Sequence, residues 1–190
     1  TNKVINGLYP PGSVIKMGVA LSFLENGIPE NFTVNCSGSL PIGNRNFRCW
    51  KTTGHGHINF RSAIAESCDD FFYKGSLKLG INKISHTLDK LGFGQLTGID
   101  QINEFMGVNP SKEWKEKKFN KPWYVGETVI TSIGQGNMLT TPLQIARYTA
   151  FIATGKLPKP HLYKANYEEP KELDIPEKHI DLMRKGMYDV

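Results

Sequence analysis

Nothing in this 190-residue chain is long and apolar enough to cross a bilayer as a helix, because its hydrophobic runs fall far short of the roughly 20 residues required. Cysteine is scarce: three residues allow at most one intramolecular disulfide and exclude a disulfide framework. The sequence shows no internal repeats, no low-complexity segment and no secretory leader pattern. Nucleic-acid reading motifs are missing as well. The one basic and aromatic stretch, Lys112 to Lys121 with Trp114 and Phe119 interleaved and Pro122-Trp123 following, reads as a solvated loop. The net charge of +5 is mild and would suit contact with an anionic polymer. What is present, 39% hydrophobic and 22% charged residues, is ordinary for one globular domain with a substantial core.

Helix signals dominate. Val14 to Leu24 reads as a helix stopped at Gly27, and Asn59 caps a helix running to about Glu66. Further helices are expected from Asp69 or Asp70 to Leu79, stopped at Gly80, and from Asn82 to Leu91, stopped at Gly92. Thr141-Pro142 opens a broad apolar helix that ends at Gly155, and Ile180 to Met187 starts another. Residues 93–127 read as loop, because Gly94, Gly98, Gly107, Pro110 and Pro122 interrupt every run. Lys156 to Pro176 reads as loop with edge strands. Phe32 to Ile58 is extended, with a hairpin from Asn35 to Arg48 turning near Pro41 and Gly43-Asn44. The beginning at Thr1, just before a strand-like Val4-Ile5, and the stop at Val190 read as the ends of an excerpt.

Cys36 and Cys49 flank that hairpin, and His55-Gly56-His57 follows. In an oxidising compartment the two thiols could bridge or stay free; alternatively Cys36, Cys49 and His55 could hold zinc, although their spacing matches no standard zinc module. Cys68, inside a helical pattern, reads as a buried core thiol.

Two short constellations carry chemistry. Tyr9-Pro10-Pro11-Gly12 leads into Ser13-Val14-Ile15-Lys16. A serine hydroxyl needs a base to become a nucleophile, and an amine three residues on along a helix lies one turn away on the same face. The serine would also sit at a helix start, where free N–H groups favour developing negative charge. Taken alone, Ser13 fits a plain N-cap equally well. The second constellation is Glu66-Ser67-Cys68-Asp69-Asp70-Phe71-Phe72-Tyr73, between two helices. Ser67 and Asp69 are either local caps or groups aimed into a cleft, where Ser67 relays a proton and Asp69 holds a lysine or a substrate amide.

Together these motifs resemble the serine acyltransferases that include penicillin-binding proteins and class A β-lactamases, whose pattern is S-x-x-K, S-D-N and K-T-G. The strings around them are similar to the penicillin-binding protein 2 group, the class B, monofunctional, elongation-specific transpeptidases. They comprise Gly54-His55-Gly56, Phe71-Phe72-Tyr73, Thr97-Gly98-Ile99-Asp100, Lys121-Pro122-Trp123-Tyr124, Ile133-Gly134-Gln135-Gly136 and Thr141-Pro142. The resemblance implies an α/β (α+β) domain of the serine β-lactamase and penicillin-binding-protein transpeptidase fold. Residues 1–190 would be mostly its helical part, with the central antiparallel sheet incomplete. It implies a peptidoglycan D,D-transpeptidase: Ser13 attacks the D-Ala–D-Ala carbonyl of a stem peptide, Lys16 is the base, Ser67 passes the proton to the leaving D-alanine, and β-lactams acylate Ser13. No cofactor and no nucleic acid is implied. The implied partners are a RodA-type glycosyltransferase and an MreC-type scaffold, at the periplasmic face of the inner membrane, with a membrane anchor outside these residues.

Two departures stand against the pattern. Asp69 replaces the asparagine that most of the superfamily carries, as this branch commonly does. No K-T-G or K-S-G tripeptide occurs: Lys51-Thr52-Thr53-Gly54 has the wrong form and precedes Ser67. Without that strand an oxyanion donor is missing, a loss of about 100-fold or more, so these residues alone are expected to be inert. A β-lactamase or D,D-carboxypeptidase, with Glu66 as a conceivable extra base, and a non-catalytic β-lactam-sensing module remain open at this point.

Overall fold

The start and stop signals in the sequence translate almost directly into helices in the computed structural model, which describes residues 2–190. In chain order the helices are α1 (Lys3–Asn6), α2 (Lys16–Glu25), α3 (Phe60–Ala65), α4 (Asp69–Leu79), α5 (Ile81–Lys90), α6 (Lys112–Phe119), α7 (Val125–Thr131), α8 (Pro142–Thr154) and α9 (Glu177–Tyr188). The strands are short: β1 (Thr33–Cys36), β2 (Ser39–Ile42), β3 (Arg45–Arg48), β4 (Gly56–Asn59), β5 (Lys156–Leu157) and β6 (Lys171–Glu172). They form three antiparallel pairs, β1 with β4, β2 with β3 and β5 with β6. The expected α+β class with a dominant helical part is what the described residues show.

Helix α2 forms the centre. From Gly18 to Leu24 every residue is buried, as a helix apolar on all sides must be. It packs against α4, α5 and α9. Phe23 meets Phe60, Phe71 and Phe72 with ring centroids 6.1–6.4 Å apart. Phe60 and Phe71 stand edge to face at 5.0 Å. Such pairs add roughly 0.5–1.5 kcal/mol each beyond the area they bury. Gly75 of α4 makes the approach possible, since a Cβ there would lie 2.1 Å from the Phe23 ring. The phenol of Tyr148 in α8, fully buried, accepts the Gly18 N–H at 2.7 Å and satisfies a donor that the first turn of α2 leaves unpaired.

Three sequence expectations are corrected. Val4-Ile5 is helical, not strand-like, because the Asn2 side chain caps α1 by accepting the Val4 N–H. The Lys112–Lys121 stretch, expected as a loop, contains α6, capped by Ser111 and closed by Asn120 in a left-handed conformation. Its Lys115 is buried, pairs with Glu127 of α7 and sits 4.5 Å over the Tyr124 ring. The loop region also yields α7 at its end. Finally, the Ser13 helix begins as a 3-10 turn, Gly12–Ile15, before α2 takes over at Lys16.

Candidate active site

That 3-10 turn decides where the first motif points. With three residues per turn, positions i and i+3 eclipse, so Ser13 and Lys16 lie on one face. Ser13 is exposed, while Lys16 is only 2% exposed and runs inward. The turn is held from outside. Gly12, at φ +61°, donates its N–H to the Gly134 carbonyl at 2.9 Å, and Tyr9 and Thr140 exchange two backbone hydrogen bonds of 2.9 Å. Gly134 must be glycine: its φ is +71° and a Cβ would lie 2.3 Å from the Gly12 oxygen.

Lys16 Nζ donates to Asp69 Oδ1 at 2.7 Å, to the Ser67 carbonyl at 2.9 Å and to Ser67 Oγ at 3.0 Å. An ammonium has three protons, and three acceptors meet them here. The structure therefore brings Lys16, Ser67 and Asp69 together, with Ser13 at the rim, and Lys16 makes no direct hydrogen bond to Ser13 Oγ. Asp69 contacts the lysine, one of the two groups the sequence offered it.

Ser67 reaches Lys16 through an uncommon backbone. It has φ +50°, its N–H donates to Ile64 O at 3.1 Å, and the next N–H, of Cys68, donates to Ala63 O at 3.0 Å. That pair of bonds is the Schellman ending of α3, whose left-handed position normally takes glycine. A serine there stores strain on the order of 1 kcal/mol and turns both its carbonyl and its hydroxyl to the lysine. Asp69 then opens α4, where a carboxylate is favoured by the helix dipole. Its second oxygen, Oδ2, accepts the backbone N–H of Trp50 at 2.9 Å.

Directly behind this segment lies a group of possible metal ligands. All three cysteines are free, so the Cys36–Cys49 bridge allowed by the sequence is not formed. Instead Cys36, Cys49, His55 and Cys68 place their ligand atoms within 4.8 Å of one another, and His55 Nδ1 is 3.5 Å from both Cys36 Sγ and Cys49 Sγ. The register explains the meeting. Cys36 pairs with Gly56, next to His55, and Cys49 returns along the hairpin with its N–H on Gly38 O at 2.9 Å. Cys68 joins from the N-cap of α4, so it is more than the core thiol the sequence suggested. Three sulfurs and one imidazole nitrogen are a donor set that suits tetrahedral zinc. Burial pushes the Cys68 thiol well above its ordinary pKa, so a metal would have to displace that proton.

A family model for the penicillin binding protein transpeptidase domain matches residues 1–190. The chain belongs to that family. Among curated relatives, the peptidoglycan D,D-transpeptidase MrdA of Escherichia coli K12 is 37% identical over 204 aligned positions, covering all of this chain and 32% of the relative. MrdA of Acinetobacter baumannii is 40% identical over 170 positions, covering 87% of this chain and 25% of its own length. The chain thus spans about a third or less of the curated relatives it matches. Among solved structures, a Helicobacter pylori penicillin-binding protein (PBP2) in complex with MreC superposes with a TM-score of 0.96 at 49% identity, over 100% of this chain and 36% of that one. PBP2 of Pseudomonas aeruginosa in complex with WCK 5153 gives 0.92 at 36% identity, over 98% and 45%. The penicillin-binding protein fold is therefore established for these residues, including the short strands. Sequence reasoning missed Trp50, Gly134 and the membership of Cys68 in the thiol cluster. Only the doubled glycine of Gly134-Gln135-Gly136 hinted at a close backbone approach.

Proposed function

We propose that the complete protein is a serine-type peptidoglycan D,D-transpeptidase of cell elongation, with Ser13 as nucleophile, Lys16 as base, Ser67 as proton relay and Asp69 as the anchor of Lys16. The observation that carries this reading is the buried Lys16 amine, gripped by Ser67 and Asp69 one tight turn from an exposed serine. Only a neutral amine can take the Ser13 proton, and the charge it then acquires is met by three acceptors already in place. Ser13 Oγ bonds to the D-alanyl carbonyl carbon. The Oγ proton goes to Lys16, which passes a proton to Ser67 across their 3.0 Å contact as Ser67 hands its own to the departing D-alanine amine and the amide bond breaks. The amine of a neighbouring stem peptide then attacks the ester and forms the cross-link, and the proton that it loses returns to Ser13 Oγ as the ester bond breaks.

These residues hold no K-T-G strand, so the group that binds the substrate carboxylate and the second oxyanion donor come from outside this sequence. Hydrolysis has less support. Glu66, the conceivable extra base, has an exposed side chain, and its backbone carbonyl is occupied by the Trp50 indole N–H. We extend to this protein work at the periplasmic face of the inner membrane beside a RodA-type polymerase and an MreC-type scaffold; a PBP2 solved in complex with MreC and a peptidoglycan synthase complex that couples polymerization to crosslinking support that reading, and no helix among the described residues is long and apolar enough to cross a membrane. Intact-mass measurement of the complete protein after penicillin exposure tests the assignment. We expect one adduct on the peptide containing Ser13 and none in Ser13→Ala; an adduct elsewhere would overturn it.

A further inference from the structure

Trp50 is 62% exposed, yet it is tied down at three points. Its backbone N–H donates to Asp69 Oδ2 at 2.9 Å, and its indole N–H donates to the Glu66 carbonyl at 2.9 Å. Its ring stands edge-on to His55, with centroids 5.3 Å apart at 69°. The residue before it, Cys49, is fixed by its N–H on Gly38 O and belongs to the thiol and imidazole cluster.

Two of these ties grip opposite ends of one short segment. Glu66 precedes Ser67, whose left-handed backbone is strained, and Asp69 closes the segment. A carboxylate holding a lysine through one oxygen can still turn about its Cβ–Cγ bond. A donor on the other oxygen fixes its plane. An exposed tryptophan that merely covered surface would need neither bond. We propose that Trp50 is a positioning residue for acylation: it staples residues 66–69 so that Ser67 and Asp69 stay turned toward Lys16. The cluster behind it, through Cys49 and His55, sets where that staple stands. The proposal rests on the assignment of Ser13 and Lys16 as the acylating pair.

The test is rapid-mixing kinetics of the complete protein with a chromogenic cephalosporin, resolving the dissociation constant of the first complex from the acylation rate constant. Trp50→Ala keeps the backbone N–H on Asp69 but loses the indole bond to the Glu66 carbonyl and the ring against His55, so it should lower the rate constant about tenfold, the upper end of one lost hydrogen bond, while the dissociation constant changes less than about threefold. Trp50→Phe keeps the ring against His55 and loses only the N–H, so it should fall between, with an unchanged melting temperature. It keeps the test decisive if the alanine variant does not fold. In an Asp69→Asn background the same substitutions should cost less than about threefold, because residues acting through one group are not additive. An unchanged rate constant would overturn the proposal. So would a change confined to the dissociation constant, which would make the indole a ligand contact, or full additivity with Asp69→Asn. Wild-type protein that takes no acyl group on Ser13 would instead remove the nucleophile assignment, and the role given to Trp50 with it.

Discussion

Gly134 accepts the N–H of Gly12 at 2.9 Å, one residue before Ser13, in a contact too close for any side chain at position 134. The Ser13 turn is therefore seated on a backbone carbonyl rather than on a side chain, and its geometry is sensitive to a single methyl group.

Gly134→Ala should accordingly push the Ser13 turn off its seat. The added Cβ combines a 2.3 Å approach with φ +71°, so we expect a loss of stability of about 1–3 kcal/mol. The rate of Ser13 acylation should fall with it. Denaturant titration and penicillin labelling of the complete protein check both; wild-type labelling in the variant would show that the turn needs no such support.

Removing Lys16 should be costly in a way that removing Ser13 is not. The Lys16–Asp69 pair has side chains 2% and 12% exposed, and stripping one partner from a buried pair costs about 3–5 kcal/mol. Lys16→Met should lose stability on that scale, and the Lys16→Met/Asp69→Asn double variant should recover part of it. Ser13→Ala, at an exposed site, should stay within about 0.5 kcal/mol of wild type. Chemical denaturation curves of the four proteins decide the matter.

Purified complete protein should carry about one zinc per chain on Cys36, Cys49, His55 and Cys68. A chelator strong enough to remove it should lower the melting temperature by several degrees, and Cys68→Ser should do the same without chelator. Reductant should change nothing, since no disulfide holds these thiols. Metal analysis and thermal unfolding read the outcome, and metal-free protein of undiminished stability would leave the cluster as packing alone.

Asp100 ties the 93–111 loop to the segment after β5. It accepts from Leu162 N, Tyr163 N and the Asn166 amide, at 2.6, 3.0 and 2.7 Å. These donors, the Tyr163 N–H foremost, pull its pKa down from 3.8 to about 2. A carboxyl group with a depressed folded pKa stabilises above its unfolded value and loses that contribution as pH falls through the folded one. The docking should hold above pH 4 and loosen between 3.8 and 2. Amide hydrogen exchange at Leu162 and Tyr163 should rise in that window, and in Asp100→Asn it should already be raised at neutral pH.

Particular residues show how far the sequence could be read. Gly80, Gly92 and Gly155 stop helices, and Asn59 and Thr141-Pro142 start them, because these signals act within one turn of chain. Ser13, Lys16, Ser67 and Asp69 were visible as two motifs, and the fold brings three of them into hydrogen-bond contact. Helix α6 escaped notice because it has no apolar stripe; its cap and the Lys115–Glu127 pair sustain it. Ser67 gave no sign of its left-handed backbone, since the usual marker there is glycine. Cys68 was legible as a buried thiol, but its place in the cluster and the ties of Trp50 were not, because they depend on distances set by the register of β1 on β4 and by the ending of α3.

The clamp between Tyr9 and Thr140 joins residues 131 positions apart. During synthesis Ser13 emerges early, yet the ledge that holds its turn arrives only after most of these residues have followed. A half-made chain therefore carries Ser13 on an unsupported turn, and that turn gains its backbone seat only when the residues around Gly134 and Thr140 have joined the fold.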